Sequence, residues 1–233
     1  MDYKIYAFIC TRNKNLKDTT QKLVTYLSRC KVHIKLIVGS NSIFEGYKKT
    51  FELVKPNPSD VIILCHDDIQ ILSDPELFND LFLHELVLNK ETGFVGVAGT
   101  TRLEKSAVWW DLTLWQQQHH SGFVLHGQSP GEGDPSFYGK YRRVVVLDGL
   151  FLAARASTIE KVGLEKPPYF EGEWDFYDLH YTLKAHNMKL KNKTLPLTIL
   201  HNSSGELVGR DSWHKNREAF IKAHTKEFPI TCK

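Results

Sequence analysis

This sequence of 233 residues lacks several features that would assign it to a common class of protein. Its four cysteines lie far apart and form no C-x-x-C pair, which indicates a reducing compartment, so we expect a cytoplasmic protein. No apolar run is long enough to cross a bilayer. Asp2, Lys4 and Arg12 interrupt the amino-terminal segment, so we expect neither a transmembrane segment nor a signal peptide.

A large charge of either sign is also absent. The net charge of +3 is too small to indicate nucleic acid as a partner. Basic residues gather over residues 184–193 and 210–226, where they form either a local patch or the solvated face of a helix. The hydrophobic content of 42% and the charged content of 24% are ordinary for a globular protein, and the length fits one large domain.

The two most familiar nucleotide-binding fingerprints are missing, since no G-x-G-x-x-G follows the first predicted strand and no Walker lysine appears. The order of elements is nevertheless that of an α/β protein. We predict strands over residues 4–10, 32–38 and 61–65, with helices over residues 16–30 and 44–54 between them. This β-α-β-α-β pattern predicts a mostly parallel sheet flanked by helices.

Polar side chains follow each of these strands, at the edge of an open α/β sheet where ligands bind. The candidates for holding a nucleotide at the first two strand ends are Thr11, Arg12, Asn13, Ser40 and Asn41. Arg12 could pair with a phosphate or could be a solvated surface residue.

The third strand, residues 61–65, ends at His66, Asp67 and Asp68. An imidazole and two adjacent carboxylates are costly to desolvate unless a divalent cation neutralises them. The alternative is a solvated turn before a helix that starts at Pro75, which we expect to extend to Leu88. A later apolar strand, residues 196–200, leads to His201 in the same way. We therefore weigh a metal site at His66, Asp68 and His201 against two structural histidines.

Residues 99–143 show no clear periodicity and predict a long loop. Its aromatic residues favour function over disorder. We expect residues 101–143 to be mobile without ligand and to form the acceptor side of a cleft. Trp109 and Trp110 are candidate platforms for a sugar ring, and the alternative is that both are core residues.

The longest apolar run, residues 144–154, is broken only by Asp148 and Gly149. A carboxylate inside a buried strand needs a partner, so Asp148 is either a ligand contact or a satisfied structural residue. Gly149 would let another group approach the backbone closely.

Four carboxylates lie within residues 171–178, just before and within the start of a predicted helix. They suit the helix dipole, but one of them could be a general base. We rank Asp178 first because two aromatic residues precede it, Asp175 second because it lies on nearly the same helical face, and Glu173 third. Near the end of the chain, residues 213–228 predict an amphipathic helix that closes the core or contacts a membrane surface or a partner.

In their order and spacing these motifs resemble those of the GT-A nucleotide-sugar glycosyltransferases, in particular the family 2-like group with streptomycin-biosynthesis-type members. The resemblance covers residues 3–205. Residues 63–68, Ile-Leu-Cys-His-Asp-Asp, resemble the strand and D-x-D metal motif of that family, with His66 at the first Asp position. Residues 146–153 resemble the strand before the acceptor region. Residues 176–179 resemble the acidic motif that supplies the base in inverting members, with Tyr177 where Glu is common, and His201 resembles a late metal-binding histidine.

The resemblance implies an α/β GT-A fold in a single domain, with a nucleotide-sugar-binding half over residues 1–100, an acceptor half over 101–205 and a carboxyl-terminal helix over 206–233. It implies Mn²⁺ or Mg²⁺ as cofactor and these roles: His66, Asp68 and His201 for metal; Thr11, Arg12, Asn13, Ser40, Asn41, Asp67 and Asp148 for the donor; Trp109, Trp110 and Gly149 for the acceptor; and Asp178 or Asp175 for catalysis.

The implied reaction is the inverting transfer of a sugar from a nucleotide-diphosphate sugar to a hydroxyl of a glycan, a lipid-linked acceptor or a small molecule. Peripheral membrane contact is compatible with it. Two alternatives remain. A degenerate glycan- or nucleotide-sugar-binding module could keep the fold without turnover, and a nucleotidyltransferase could use a similar sheet, although a Gly-rich basic loop would then be expected after the first strand.

Overall fold

The computed structural model describes residues 3–12, 15–203 and 211–232. In chain order the strands are β1 (Ile5–Thr11), β2 (His33–Val38), β3 (Val61–Cys65), β4 (Ile69–Ile71), β5 (Thr92–Gly96), β6 (Ala98–Thr100), β7 (Arg102–Leu103), β8 (His120–His126), β9 (Asp134–Gly139), β10 (Arg143–Val144), β11 (Val146–Leu147), β12 (Phe151–Arg155), β13 (Lys191–Thr194), β14 (Ile199–His201) and β15 (Ile230–Thr231). The α-helices are α1 (Asp18–Arg29), α2 (Ile43–Val54), α3 (Pro75–Phe82), α4 (Leu112–Gln116), α5 (Ala156–Val162), α6 (Tyr177–Asn187) and α7 (Asp211–Ala223).

A seven-stranded sheet forms the centre of the fold, in the order β10-β13-β5-β12-β3-β1-β2. β3 and β2 pair with β1 in parallel, and every residue of β3 is buried, as its unbroken apolar run predicts. Five of its seven strands run in one direction, as predicted, whereas β12 runs antiparallel to both β3 and β5 and β10 runs antiparallel to β13.

Helices α1 and α2 flank the β1-β2-β3 part of this sheet. α1 buries Leu23 and Leu27, and α2 buries Phe44 and Tyr47, which matches the helical spacing of apolar residues in the sequence. The helix predicted to run from Pro75 to Leu88 is α3 followed by a π-helical turn over Leu83–Leu88.

A second sheet contradicts the long loop predicted over residues 99–143. This six-stranded sheet has the order β11-β6-β8-β14-β4, with β9 paired to β8. β8 and β9 form an antiparallel hairpin. Their glycines interrupt the alternation of apolar and polar residues that would have predicted these strands. Gly122 has φ +109°, and a Cβ there would collide with the Val97 carbonyl, so the strands approach closely only because this residue is glycine.

The second sheet brings the end of β14 to the end of β3. β14 pairs antiparallel with β4, which follows β3 after three residues, and His201 is the register partner of Ile69. On its other side β14 runs parallel to β8, so His201 is also the partner of His126. Residues far apart in sequence therefore meet at one edge of the central sheet.

Helix α7 packs on the core through Trp213, Asn216 and Phe220, all of which are buried. The aromatic rings of Trp213 and Phe220 lie 5.5 and 5.6 Å from that of Phe176 at the start of α6. Of the two positions predicted for the final helix, packing on the core is the one observed. No helix among the described residues has the length and apolar content needed to cross a membrane.

Candidate active site

A cleft of about 320 Å³ opens beside the carboxyl ends of β1 and β3. It gathers ten of the residues predicted for the site: Arg12, His66, Asp67, Asp68, Trp110, Asp148, Gly149, Asp175, Asp178 and His201. Most of the residues predicted for metal binding, for catalysis and for the acceptor therefore share one cavity, although they come from both sheets and from α6. The predicted residue Asn13 lies outside the described residues.

Three residues predicted to contact the donor do not line this cleft. Thr11 is buried at the end of β1. The Ser40 hydroxyl donates to the Ser42 carbonyl at 2.7 Å, and so it belongs to the turn before α2. Asn41 lines a neighbouring groove, and its carbonyl accepts the indole N–H of Trp174 at 3.0 Å.

His66, Asp68 and His201 form a compact group of candidate metal ligands. One ligand atom from each lies within 4.8 Å of the others. Asp68 Oδ1 lies 3.7 Å from His66 Nδ1 and 3.5 Å from His201 Nε2, which is too far for a good hydrogen bond. Asp68 Oδ1 is nevertheless buried without a hydrogen-bond partner among the described residues. Two imidazole nitrogens and a carboxylate oxygen are a donor set that suits a divalent transition metal, so these residues fit one.

The charges in this group are unevenly distributed. Burial lowers the pKa of His66 below its ordinary value, despite the attraction of Asp68. Burial lowers the pKa of His201 as well, but Asp68 beside it raises that pKa by more. Burial tends to raise the pKa of Asp68, yet His201 and His66 hold it below its ordinary value. The group therefore combines an ionised carboxylate with one imidazole, that of His66, that tends to stay neutral, whereas His201 would release a proton when a metal binds.

Gly149 lies where α6 meets the turn between β11 and β12. A Cβ at this position would lie 2.6 Å from Tyr177 Cζ and 3.0 Å from Asp178 Cβ. The Tyr177 hydroxyl donates to the Gly149 carbonyl at 2.8 Å and lies 2.9 Å from His66 Nε2. The Gly149 N–H donates to Asp178 Oδ2 at 2.9 Å. The groups that come close to this backbone are thus Tyr177 and Asp178.

The two carboxylates beside Gly149 differ in their environments. Asp148 is satisfied by the protein, because Oδ1 accepts the Leu150 N–H at 2.8 Å and Oδ2 accepts the Trp109 indole N–H at 3.1 Å. Burial raises the pKa of Asp178 to about 7, and the negative charge of Asp148 adds to the effect. A carboxyl group with a pKa near neutrality can accept a proton during a reaction at neutral pH.

Asp175, the second candidate base, is held by helix α7. Its Oδ2 accepts the Ser212 hydroxyl at 2.8 Å, and its backbone carbonyl accepts the Asn216 side-chain amide at 3.1 Å. Its buried carboxylate therefore helps to attach α7 to the start of α6.

Trp109 and Trp110 have different positions although they are neighbours in sequence. Trp109 is only 2% exposed, belongs to the core and packs against His120 and Tyr138. The prediction that Trp109 is a sugar platform is therefore wrong, because its ring faces are covered by protein. Trp110 is 36% exposed and lines the cleft, with its ring 6.0 Å from that of Trp213.

Sequence reasoning missed three residues that line the cleft, namely Lys17, Trp174 and Tyr177. The ring of Trp174 lies under the guanidinium of Arg12, whose carbon is 4.1 Å from the ring centroid. Lys17 lines the cleft and its charge helps to lower the pKa of Asp68. Tyr177 contacts His66. The signal for Tyr177 was its replacement of Glu in the acidic motif, whereas Trp174 and Lys17 follow no recognisable pattern.

Comparisons with known proteins bear on the family and on the fold. A family model described as a glycosyltransferase-like family matches residues 7–223. The structure is similar to that of A197 from STIV, with a TM-score of 0.51, 13% sequence identity and 86% of each chain covered. It is also similar to GalNAc-T7 with UDP, GalNAc and Mn²⁺, with a TM-score of 0.52 and 9% identity over 95% of this chain and 48% of that one. The chain thus spans about half the length of that relative. No curated protein matches it.

Proposed function

The chain belongs to the glycosyltransferase-like family, and from this premise we propose that it transfers a sugar from a nucleotide-diphosphate donor to a hydroxyl acceptor with the help of a divalent cation. The observation that supports metal dependence most strongly is the buried Asp68 Oδ1, which faces His66 and His201 and has no hydrogen-bond partner among the described residues. An ionised oxygen buried in this way is costly unless a cation accompanies it.

His66, Asp68 and His201 would hold the cation. When bound, it supplies charge neutralisation for the diphosphate that leaves the sugar. Mn²⁺ is our first candidate, because the similar structure of GalNAc-T7 contains Mn²⁺ and UDP and because carboxylate ligands suit that ion. Mg²⁺ is the second. Asp67, which adjoins Asp68 and lines the cleft, would contact the donor.

The donor diphosphate would meet two cationic side chains, Arg12 and Lys17, at the mouth of the cleft. A guanidinium and an ammonium group are both suited to phosphate oxygens. Trp174 offers an aromatic face next to Arg12. Thr11, Ser40 and Asn41 would act through the backbone at the ends of β1 and β2, and Asp148 through its hold on the turn that carries Gly149.

Asp178 would serve as the general base. It would accept the proton of the acceptor hydroxyl while the acceptor oxygen bonds to the anomeric carbon and the bond from that carbon to the diphosphate breaks. Because the nucleophile would enter opposite the leaving group, the transfer would invert the anomeric configuration. Asp178 is preferred to Asp175, whose Oδ2 already accepts a hydrogen bond from Ser212. Trp110 and Gly149 would border the acceptor.

A product assay tests this function. The purified chain is incubated in Mn²⁺ with UDP- and GDP-sugars and a panel of hydroxyl acceptors, and in parallel with UTP or GTP and a sugar phosphate, and the released phosphates are separated. Release of a nucleoside diphosphate supports glycosyl transfer. Release of pyrophosphate from a nucleoside triphosphate would instead indicate a nucleotidyltransferase, and donor binding without any release would indicate a binding module.

A further inference from the structure

The hydroxyl of Tyr177 is buried between a backbone carbonyl and a histidine nitrogen. Its oxygen lies 2.8 Å from the Gly149 carbonyl oxygen and 2.9 Å from His66 Nε2. A tyrosine hydroxyl has a single proton to donate, and a carbonyl oxygen can only accept. The proton of Tyr177 therefore goes to Gly149, and towards His66 the same oxygen can act only as an acceptor.

This direction fixes the proton on His66. If the Tyr177 oxygen accepts, then His66 Nε2 must carry a hydrogen, and in a neutral imidazole the other nitrogen, Nδ1, keeps its lone pair. Nδ1 is the atom that faces Asp68 Oδ1, at 3.7 Å. Metal ions bind an imidazole through that lone pair, and the hydrogen bond made by the opposite nitrogen decides which nitrogen is available.

We propose that Tyr177 is a positioning residue that holds His66 in the Nε2–H tautomer, so that Nδ1 is prepared to bind the divalent cation. This inference rests on the metal site of the proposed function and adds to it a residue that acts through His66. It also explains what the aromatic ring at the place of an acidic residue does for the site.

The fold keeps Tyr177 in this position. The side chain is only 3% exposed, and its ring packs edge-on against those of Phe44 and Tyr47 in α2, with centroids 6.4 and 6.0 Å away. Gly149 leaves no Cβ in the path of the hydroxyl. Among the described residues, the contacts of this buried hydroxyl are the Gly149 carbonyl, to which it donates, and His66, from which it can accept.

A purely structural role for Tyr177 makes a different prediction. In that case the hydroxyl would only anchor the Gly149 carbonyl, and removal would cost stability without a specific effect on metal binding. Tyr181 provides a matched control one helical turn later. It is also fully buried, and its hydroxyl donates to a backbone carbonyl, that of Leu164, at 2.8 Å.

The experiment compares Mn²⁺ binding by isothermal titration calorimetry in the wild type, Tyr177→Phe and Tyr181→Phe. We expect Tyr177→Phe to weaken Mn²⁺ binding by about 10–100-fold, the range for loss of a group that orients a metal ligand, and Tyr181→Phe to bind Mn²⁺ as the wild type does. Equal affinity in Tyr177→Phe and the wild type would overturn the inference, as would an equal loss in both variants.

A second measurement does not depend on a folded variant. The ¹⁵N resonances of the His66 ring in the metal-free wild type report which nitrogen carries the proton, and we expect the Nε2–H tautomer, with Nδ1 unprotonated. An Nδ1–H tautomer would overturn the inference even if the protein binds Mn²⁺. Failure of the wild type to bind any divalent cation would instead overturn the metal site of the proposed function together with this inference.

Discussion

The backbone N–H of Gly149 donates to Asp178 Oδ2 at 2.9 Å, so the residue that interrupts the longest apolar run of the sequence holds the carboxylate of the proposed base. The carbonyl of the same residue accepts the Tyr177 hydroxyl, which in turn contacts His66. A single glycine thus lies between the candidate metal ligands and the candidate base.

Asp178→Asn should slow sugar transfer by about 10²–10⁴-fold, the usual cost of removing a general base. Donor binding should persist, because the base acts on the acceptor and because an asparagine oxygen can still accept from Gly149. Steady-state rates and donor affinity measured on the same preparation check this. Asp175→Asn is the matched control, and a larger rate loss there than in Asp178→Asn would place the base one helical turn earlier.

The stability of the metal-free protein should depend on the protonation of Asp178. Its pKa is raised from 3.8 to about 7, so folding favours the protonated form. The resulting stabilisation is fully present below the unfolded pKa and is lost as the pH rises through about 7. Asp178→Asn lacks this dependence. Its free energy of unfolding relative to the wild type should therefore rise by about 1–3 kcal/mol between mildly acidic and mildly alkaline solution.

Urea unfolding in EDTA at several pH values measures this difference. Because one face of Asp178 borders the cleft, solvent reduces the effect, and the lower part of the range is expected. A constant difference across the pH range would show that the carboxyl group titrates normally.

Gly149→Ala should disturb both halves of the site, since the new Cβ would lie 2.6 Å from Tyr177 Cζ and 3.0 Å from Asp178 Cβ. We expect a loss of about 1–3 kcal/mol in the free energy of unfolding, typical of overpacking, and weaker Mn²⁺ binding. Gly131→Ala is the control, because a Cβ there meets nothing within 4 Å. If both variants unfold at the same denaturant concentration, then Tyr177 and Asp178 can move to accommodate a Cβ at position 149, and the prediction is wrong.

Trp109→Ala should mainly reduce stability, whereas Trp110→Ala should mainly reduce the use of the acceptor. Trp109 is a core residue, so its truncation should cost about 3–5 kcal/mol of stability. Trp110 lines the cleft, so its truncation should leave stability nearly normal and weaken acceptor use. Thermal unfolding and the KM for acceptor, measured for both variants, distinguish them. A stability loss in Trp110→Ala that matches its loss of activity would make this residue a core residue too.

Local patterns were sufficient for the first half of the fold. The unbroken apolar run of β3 predicted a buried strand, and the helical spacing in α1 and α2 predicted their buried faces. The hairpin of β8 and β9 was missed because glycines such as Gly122 break its alternation and serve close packing between strands. The antiparallel direction of β12 was not predicted, because it depends on pairing with β3 and β5, which lie far away in sequence.

The site residues that directly follow a strand could be predicted from the sequence. Residues whose role depends on whether their side chain is buried could not. His66, Asp68 and His201 were found from their positions after apolar strands, and the register of β14 with β4 brings them together. Trp109 and Trp110 could not be separated, because adjacent residues in an irregular turn can face either the core or the solvent. Tyr177 could not be assigned, since its role depends on a contact with His66, 111 residues away.

The central claim is that Asp68, His66 and His201 hold a divalent cation on which donor binding depends. The most direct test is the thermal unfolding of the wild type, Asp68→Ala and Asp67→Ala with UDP or GDP, in Mn²⁺ and in EDTA, because a ligand that binds only the folded state raises the unfolding temperature. We predict that nucleotide stabilises the wild type and Asp67→Ala in Mn²⁺ far more than in EDTA, and that Asp68→Ala loses this difference. Equal stabilisation of the wild type by nucleotide with and without Mn²⁺ would contradict the claim.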